Sequence, residues 1–102
     1  MATGRDYFEF IAERFSGADE VSFRPMMGEY IIYCHGKVVG GIYDDRLLVK
    51  PTKSALAMMP DAETALPYKG GKEMLVVDDP DDGEFLRRLV NAIAEDLPDR
   101  KK

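Results

Sequence analysis

Tyr30-Ile31-Ile32-Tyr33-Cys34-His35-Gly36-Lys37-Val38-Val39-Gly40-Gly41-Ile42-Tyr43-Asp44-Asp45-Arg46-Leu47-Leu48-Val49-Lys50 is the stretch that decides the fold. Tyr30 to Cys34 is rich in β-branched and aromatic residues, which suit a pleated, half-buried surface. His35-Gly36 is a two-residue link of the kind tight hairpins use, because Gly tolerates positive φ. Lys37 to Tyr43 reads as the return strand, Asp44-Asp45 as the next turn, and Arg46 to Lys50 as a further strand. Three strands joined by two short turns make a β-meander. Gly40-Gly41 inside the middle strand predicts a bulge or the close approach of another backbone.

Upstream, Val21 and Phe23 alternate with Ser22 and Arg24, which is strand spacing. Pro25 has no N–H, so this strand should end there or lie on a sheet edge. Before it, Tyr7, Phe8, Ile11, Ala12 and Phe15 share one helical face, and Phe10 lies off that stripe. Thr3 with Asp6 is the expected capping pair, and Gly17 the expected stop. Downstream, Pro51 breaks the meander, Thr52 caps a short helix from Lys53 to Met59, and Pro60 closes it. A strand over Glu63 to Tyr68, a turn at Lys69-Gly70-Gly71-Lys72 and a strand over Glu73 to Val77 follow. Phe85, Leu86, Leu89, Val90, Ile93 and Leu97 form the apolar stripe of a last helix, and Pro98 ends it. Each such side chain contributes roughly 1.5–3 kcal/mol when buried. The order predicts an α+β fold: a two-layer, mostly antiparallel sheet with helices packed on one face.

At 102 residues the chain is one domain's length, and the expected core runs from about residue 4 to 97. The apolar fraction of 45% suits a globular domain. No run approaches the ~20 apolar residues of a membrane span. The amino terminus turns charged at once, so the expected location is cytoplasmic. Fourteen basic against nineteen acidic residues leave a net charge of −5, which argues against broad binding to phosphate backbones.

One cysteine, Cys34, and one histidine, His35, exclude an internal disulfide and a four-ligand zinc site. Being adjacent on a strand, they point to opposite faces, so a thiol–imidazole pair is not expected. Asp78-Asp79-Pro80-Asp81-Asp82-Gly83-Glu84 fails as a calcium loop, because its third position is Pro80 and its twelfth Leu89. It reads as an acidic cap on the last helix, where carboxylates meet free N–H groups. Lys69-Gly70-Gly71-Lys72 joins two strands and is a hairpin turn, not a phosphate loop. Met26-Met27 and Met58-Met59 read as core fillers, with an adaptable interaction patch as the alternative. Tyr7, Tyr30, Tyr33, Tyr43 and Tyr68 add the aromatic residues that interfaces favour.

Arg24-Pro25-Met26-Met27-Gly28, the run from Tyr30 to Val38, and Asp44-Asp45-Arg46-Leu47-Leu48-Val49-Lys50 together resemble the TfoX/Sxy N-terminal domain family. Tyr68-Lys69-Gly70-Gly71-Lys72 and the last helix agree with it, so the resemblance reaches from the first helix to about Leu97. Met27 and Glu29 stand where that family often has an aromatic residue and a second Gly. The resemblance implies an antiparallel sheet with flanking helices, similar to secretion-chaperone-like folds, with no enzyme activity and no cofactor. It also implies a link to the regulation of DNA-uptake competence. The longer competence regulators resemble a fusion to a second helical domain, and this sequence covers the first.

The leading expectation is therefore a non-enzymatic protein-interaction domain, with transcription machinery or a second copy of the chain as partner. Its candidate interaction residues are Arg24, Pro25, Met26, Gly28, Tyr33, Gly36 and Arg46; no catalytic, cofactor or metal residue is assigned. In a purely structural role, Gly28 and Gly36 permit turn geometry and Arg24 makes an ion pair. A weaker alternative is direct nucleic-acid binding through Arg24, Lys37, Arg46, Lys50, Lys53, Lys69 and Lys72. Another is a small-ligand or enzyme cleft beside the sheet, with Arg24 and Tyr33 as polar contacts.

Overall fold

Two-residue turns build most of the sheet. In the computed structural model, which describes residues 4–67, 70–77 and 80–98, β1 (Val21–Met26), β2 (Glu29–Cys34), β3 (Lys37–Tyr43) and β4 (Arg46–Val49) follow one another as antiparallel neighbours. The links are Met27-Gly28, His35-Gly36 and Asp44-Asp45, and all six residues have positive φ, from +52° to +87°. Positive φ at both central positions marks the turn type whose twist matches that of the flanking strands. The meander is thus one hairpin longer than the sequence predicts. Gly28 makes the added turn possible, while Met27 adopts φ +52° with no such freedom.

Pro25 does not end β1, which runs on to Met26. Met26 and Glu29 flank a two-residue turn and so form a hydrogen-bonded pair, which makes the next pair, Pro25 with Tyr30, a non-bonded one. The Pro25 nitrogen therefore faces the free edge of the sheet, where β1 lies outermost, and removes a donor from that edge.

After β4 the chain forms α2 (Lys53–Met58), β5 (Thr64–Ala65) and β6 (Met74–Val76). The expected strand from Glu63 shrinks to two paired residues, and Tyr68 and Lys69 lie outside the described residues. β6 inserts between β4 and β5, so the sheet order is β1-β2-β3-β4-β6-β5, with every pairing antiparallel. α1 (Arg5–Arg14) and α3 (Gly83–Asp96) complete the chain. Gly4 holds the N-cap of α1, and the expected Thr3 cap lies outside the described residues. Asp82 caps α3 through its carboxylate, which accepts from the Phe85 N–H at 3.0 Å; Asp78 and Asp79 lie outside the described residues. Thr52 caps α2 by accepting from the Ala55 N–H.

The core lies between the helices and one face of the sheet. Ile11 and Phe15 of the α1 segment and Leu86, Leu89, Val90 and Ile93 of α3 meet Ile32, Cys34, Ile42, Leu47, Val49 and Leu75. Phe8 stacks on Tyr30, with ring centroids 3.9 Å apart. Met58 and Met59 pack against this core, as predicted.

A polar clamp fixes α3 to the sheet. Arg87 donates to both carboxylate oxygens of Glu20, at 2.7 and 3.0 Å. Asn91 donates to Glu20 at 2.9 Å, and its own carbonyl oxygen meets His35 Nε2 at 2.9 Å. Lys37 donates to the carbonyls of Ala94 and Leu97 and so closes the carboxyl end of α3. The bonds from Arg87 and then Asn91 pull the Glu20 carboxyl from 4.5 down to about 2. Because the folded chain favours the ionised form, this stabilisation is complete above pH 4.5 and is lost as pH falls through about 2. Glu20→Gln should therefore unfold at lower urea than the native chain at neutral pH, with a gap that narrows as pH falls through that window. A gap independent of pH would show that the clamp contributes nothing through charge.

Candidate functional site

Among the described residues, the second face of the sheet carries no helix. Its composition follows from register, since residues paired across strands share a face. β3 holds one more residue than its partner between Ile32 and Tyr33: Ile32 pairs with Gly40 but Tyr33 with Val38, which leaves Val39 as a bulge. The bulge reverses the alternation within β3. Lys37 and Val39 point toward the helices, whereas Gly41 and Tyr43 point to the open face. Gly40 sits beyond the bulge so close to β4 that a side-chain carbon there would collide with the Leu48 carbonyl oxygen and lie 2.8 Å from the Val49 Cα. Gly41 is bare for another reason: the Tyr43 ring lies over it.

Tyr43, Leu48 and Met74 form a small second core on this face, with Ala65 and Val76 beside them. Around it opens a groove of about 720 Å³, lined by Met26, Ile31, Val38, Tyr43 and Met74, by Pro51 and Pro67, and by the Gly70–Glu73 segment. Lys50 and Lys72 stand at its margin. Met26 is half-exposed, and Met27, at the hairpin tip beside it, is 95% exposed. These two methionines are not core fillers, contrary to the sequence-based expectation. A turn flanked by short strands has no interior to offer them, and the tip carries them into solvent.

The candidate residues separate. Arg24, Met26, Tyr33 and Arg46 all lie on the open face by register. Arg24 and Tyr33 line a shallow notch of about 300 Å³ with Ser22, Phe23 and Pro25. Arg24 makes no ion pair with any described residue, so the structural role expected for it is not found. Gly28 and Gly36 sit in turns at opposite ends of β2 and supply positive φ. Arg46 reaches the Leu66 carbonyl at 3.5 Å, and its Nε is buried without a hydrogen-bond partner. The basic set divides: Arg24, Arg46, Lys50 and Lys72 lie on or beside the open face, whereas Lys37 caps α3, Lys53 opens α2 and Lys69 lies outside the described residues.

Cys34 is fully buried in the core, on the face away from the groove. Burial first, and repulsion by Glu20 second, push its thiol up to about 11, the opposite of what a nucleophile needs. Among the described residues no three His, Cys, Asp or Glu side chains come together as a metal ion would require. No described helix is long and apolar enough to cross a membrane.

The sequence offers Met27 and Tyr43 only within an alternative interaction patch, and it does not mark Ile31, Val38 and Met74 as members of the same surface. The signal was the Gly40-Gly41 pair, which announces the bulge that sorts β3 between faces.

Comparison with known proteins places the chain in context. The model of the TfoX N-terminal domain matches residues 13–91. A relative from Spirochaeta aurantia, described as an uncharacterized 12.7 kDa protein in the trpE 5′ region, is 37% identical over 79 residues, which span 78% of this chain and 69% of that protein. No solved structure matches.

Proposed function

The chain belongs to the TfoX N-terminal domain family, and from that premise we propose that it is a non-enzymatic regulatory domain that docks another protein on the open face of its sheet. Family membership is consistent with a competence-related regulatory role. The observation that carries the reading is Met27. A side chain with φ near +52° carries strain of about 1–2 kcal/mol. At 95% exposure it recovers none of that through packing in the chain itself. The turn requires that φ but not a methionine, and a strained side chain that packs on nothing points to function. Methionine is also the side chain that adaptable binding surfaces favour. The tip stands beside an apolar groove, so knob and groove form one continuous surface across β1, β2 and β3.

The partner class is transcription machinery or a regulator of it. The test is to place Ile31→Glu in the native gene and measure the transcripts of the host cell, with Arg88→Glu on the exposed side of α3 as the comparison. Ile31→Glu should reproduce the transcript changes of a deletion while the purified domain stays folded by circular dichroism, and Arg88→Glu should change nothing. Normal transcripts in the Ile31→Glu strain would overturn the proposal.

A further inference from the structure

We propose that the groove takes an extended acidic-apolar segment of a partner protein, one in which apolar side chains alternate with carboxylates. This rests on the docking reading above and adds the chemistry of the occupant. Arg24, Lys50 and Lys72 make no hydrogen bond or ion pair with any described residue, although the chain is rich in carboxylates. With Arg46 they place four cations on or beside the open face, against Glu29, Glu63 and Glu73. The face therefore carries a net +1 within a chain of net −5, which leaves −6 for the rest. Charge has been separated by face: the helical side and loops repel an acidic partner, and the groove side attracts one.

The dimensions favour an extended segment. From Met26 on β1 to Met74 on β6 the groove crosses five adjacent strands, roughly 19 Å at the usual strand spacing. An extended chain covers that span in about six residues. Apolar side chains on one side of such a segment meet Ile31, Val38, Tyr43 and Met74, and carboxylates on the other side reach the rim cations. Nucleic acid fits less well, because the middle of the face is apolar and phosphate backbones call for cations throughout.

The test is fluorescence anisotropy of the full chain with three labelled peptides, one alternating leucine with glutamate, one leucine with lysine, and one serine with glutamate. An oligo-dT strand is the fourth probe. The leucine–glutamate peptide should bind, and Lys50→Glu combined with Lys72→Glu should weaken it by about tenfold or more. High salt should weaken it in the same direction. The leucine–lysine and serine–glutamate peptides and oligo-dT should bind at least tenfold more weakly. Equal binding of both leucine peptides, unaffected by the lysine changes, would overturn the charge assignment and leave docking itself intact. Equal binding of the serine–glutamate peptide or oligo-dT would show that charge alone acts, and would also overturn it. Binding of no peptide would remove the docking reading as well. Sedimentation of the chain alone covers the remaining occupant: a dimer that Lys50→Glu dissolves would make a second copy the ligand and end the proposal.

Discussion

Gly40→Ala should lower the stability of the domain by about 1–3 kcal/mol or more, the cost of forcing atoms into a packed interior. In a domain of this size each kcal/mol moves the melting temperature by about 4–8 °C. The reason lies in what the added carbon meets: the backbone of β4 at Leu48 and Val49, which cannot turn aside as a side chain can. Relief requires β3 and β4 to separate, and their pairing joins the meander to β6. Gly41→Ala is the internal comparison. There the new carbon meets only the Tyr43 ring, at 2.5–2.7 Å, and the ring can swing into the groove. The second substitution should therefore cost less in thermal unfolding, yet disturb the groove more. Equal melting temperatures for Gly40→Ala and the native chain would mean that the bulge at Val39 does not bring the strands this close.

Met27→Gly should act in the opposite direction on stability. Glycine relieves the left-handed strain, about 1–2 kcal/mol, and gives back about 0.5–1 kcal/mol through the greater freedom of the unfolded chain. The exposed methionine has almost no packing to lose. A net gain of up to about 1.5 kcal/mol is expected, read as a higher urea midpoint with an unchanged slope. The same substitution removes the apolar knob at the hairpin tip, so it should weaken partner binding on the order of tenfold, the scale of a hot-spot side chain. A domain made more stable and less able to bind would show that Met27 is retained for docking. A variant that gains stability and binds normally would take Met27 out of the surface.

The sequence reveals the turns through glycine and the helices through periodicity. His35-Gly36 announced its hairpin, Thr52 announced α2, and Phe85 to Leu97 announced α3. The Met27-Gly28 turn did not stand out, because its first residue has no propensity for positive φ; only the closing of β1 against β2 holds it there. The face of each strand was equally hard to read. Lys37 to Tyr43 is nearly continuous in apolar residues and glycines, so no alternation marks which side faces the helices, and the bulge reverses the assignment halfway along. The site was legible only in pieces for the same reason. Arg24, Lys50 and Lys72 are far apart in sequence and meet one surface only through register. Arg24 and Tyr33, expected together as polar contacts of a cleft, do share a notch. The methionine pairs look alike as sequence but differ in place: Met58-Met59 end a helix that packs on the core, whereas Met26 stands half-exposed at the groove and Met27 is exposed at the hairpin tip.

The proposed docking surface is the helix-free face of the sheet. The most direct measurement places a photo-crosslinking amino acid at Tyr33 or at Met26 on that face, and at Arg88 on the outer side of α3, in cells that express the chain at native level. One discrete adduct should be shared by the Tyr33 and Met26 positions and absent from Arg88, and Lys50→Glu combined with Lys72→Glu should diminish it. Adducts from Arg88 with none from the open face would move the docking surface to the helices.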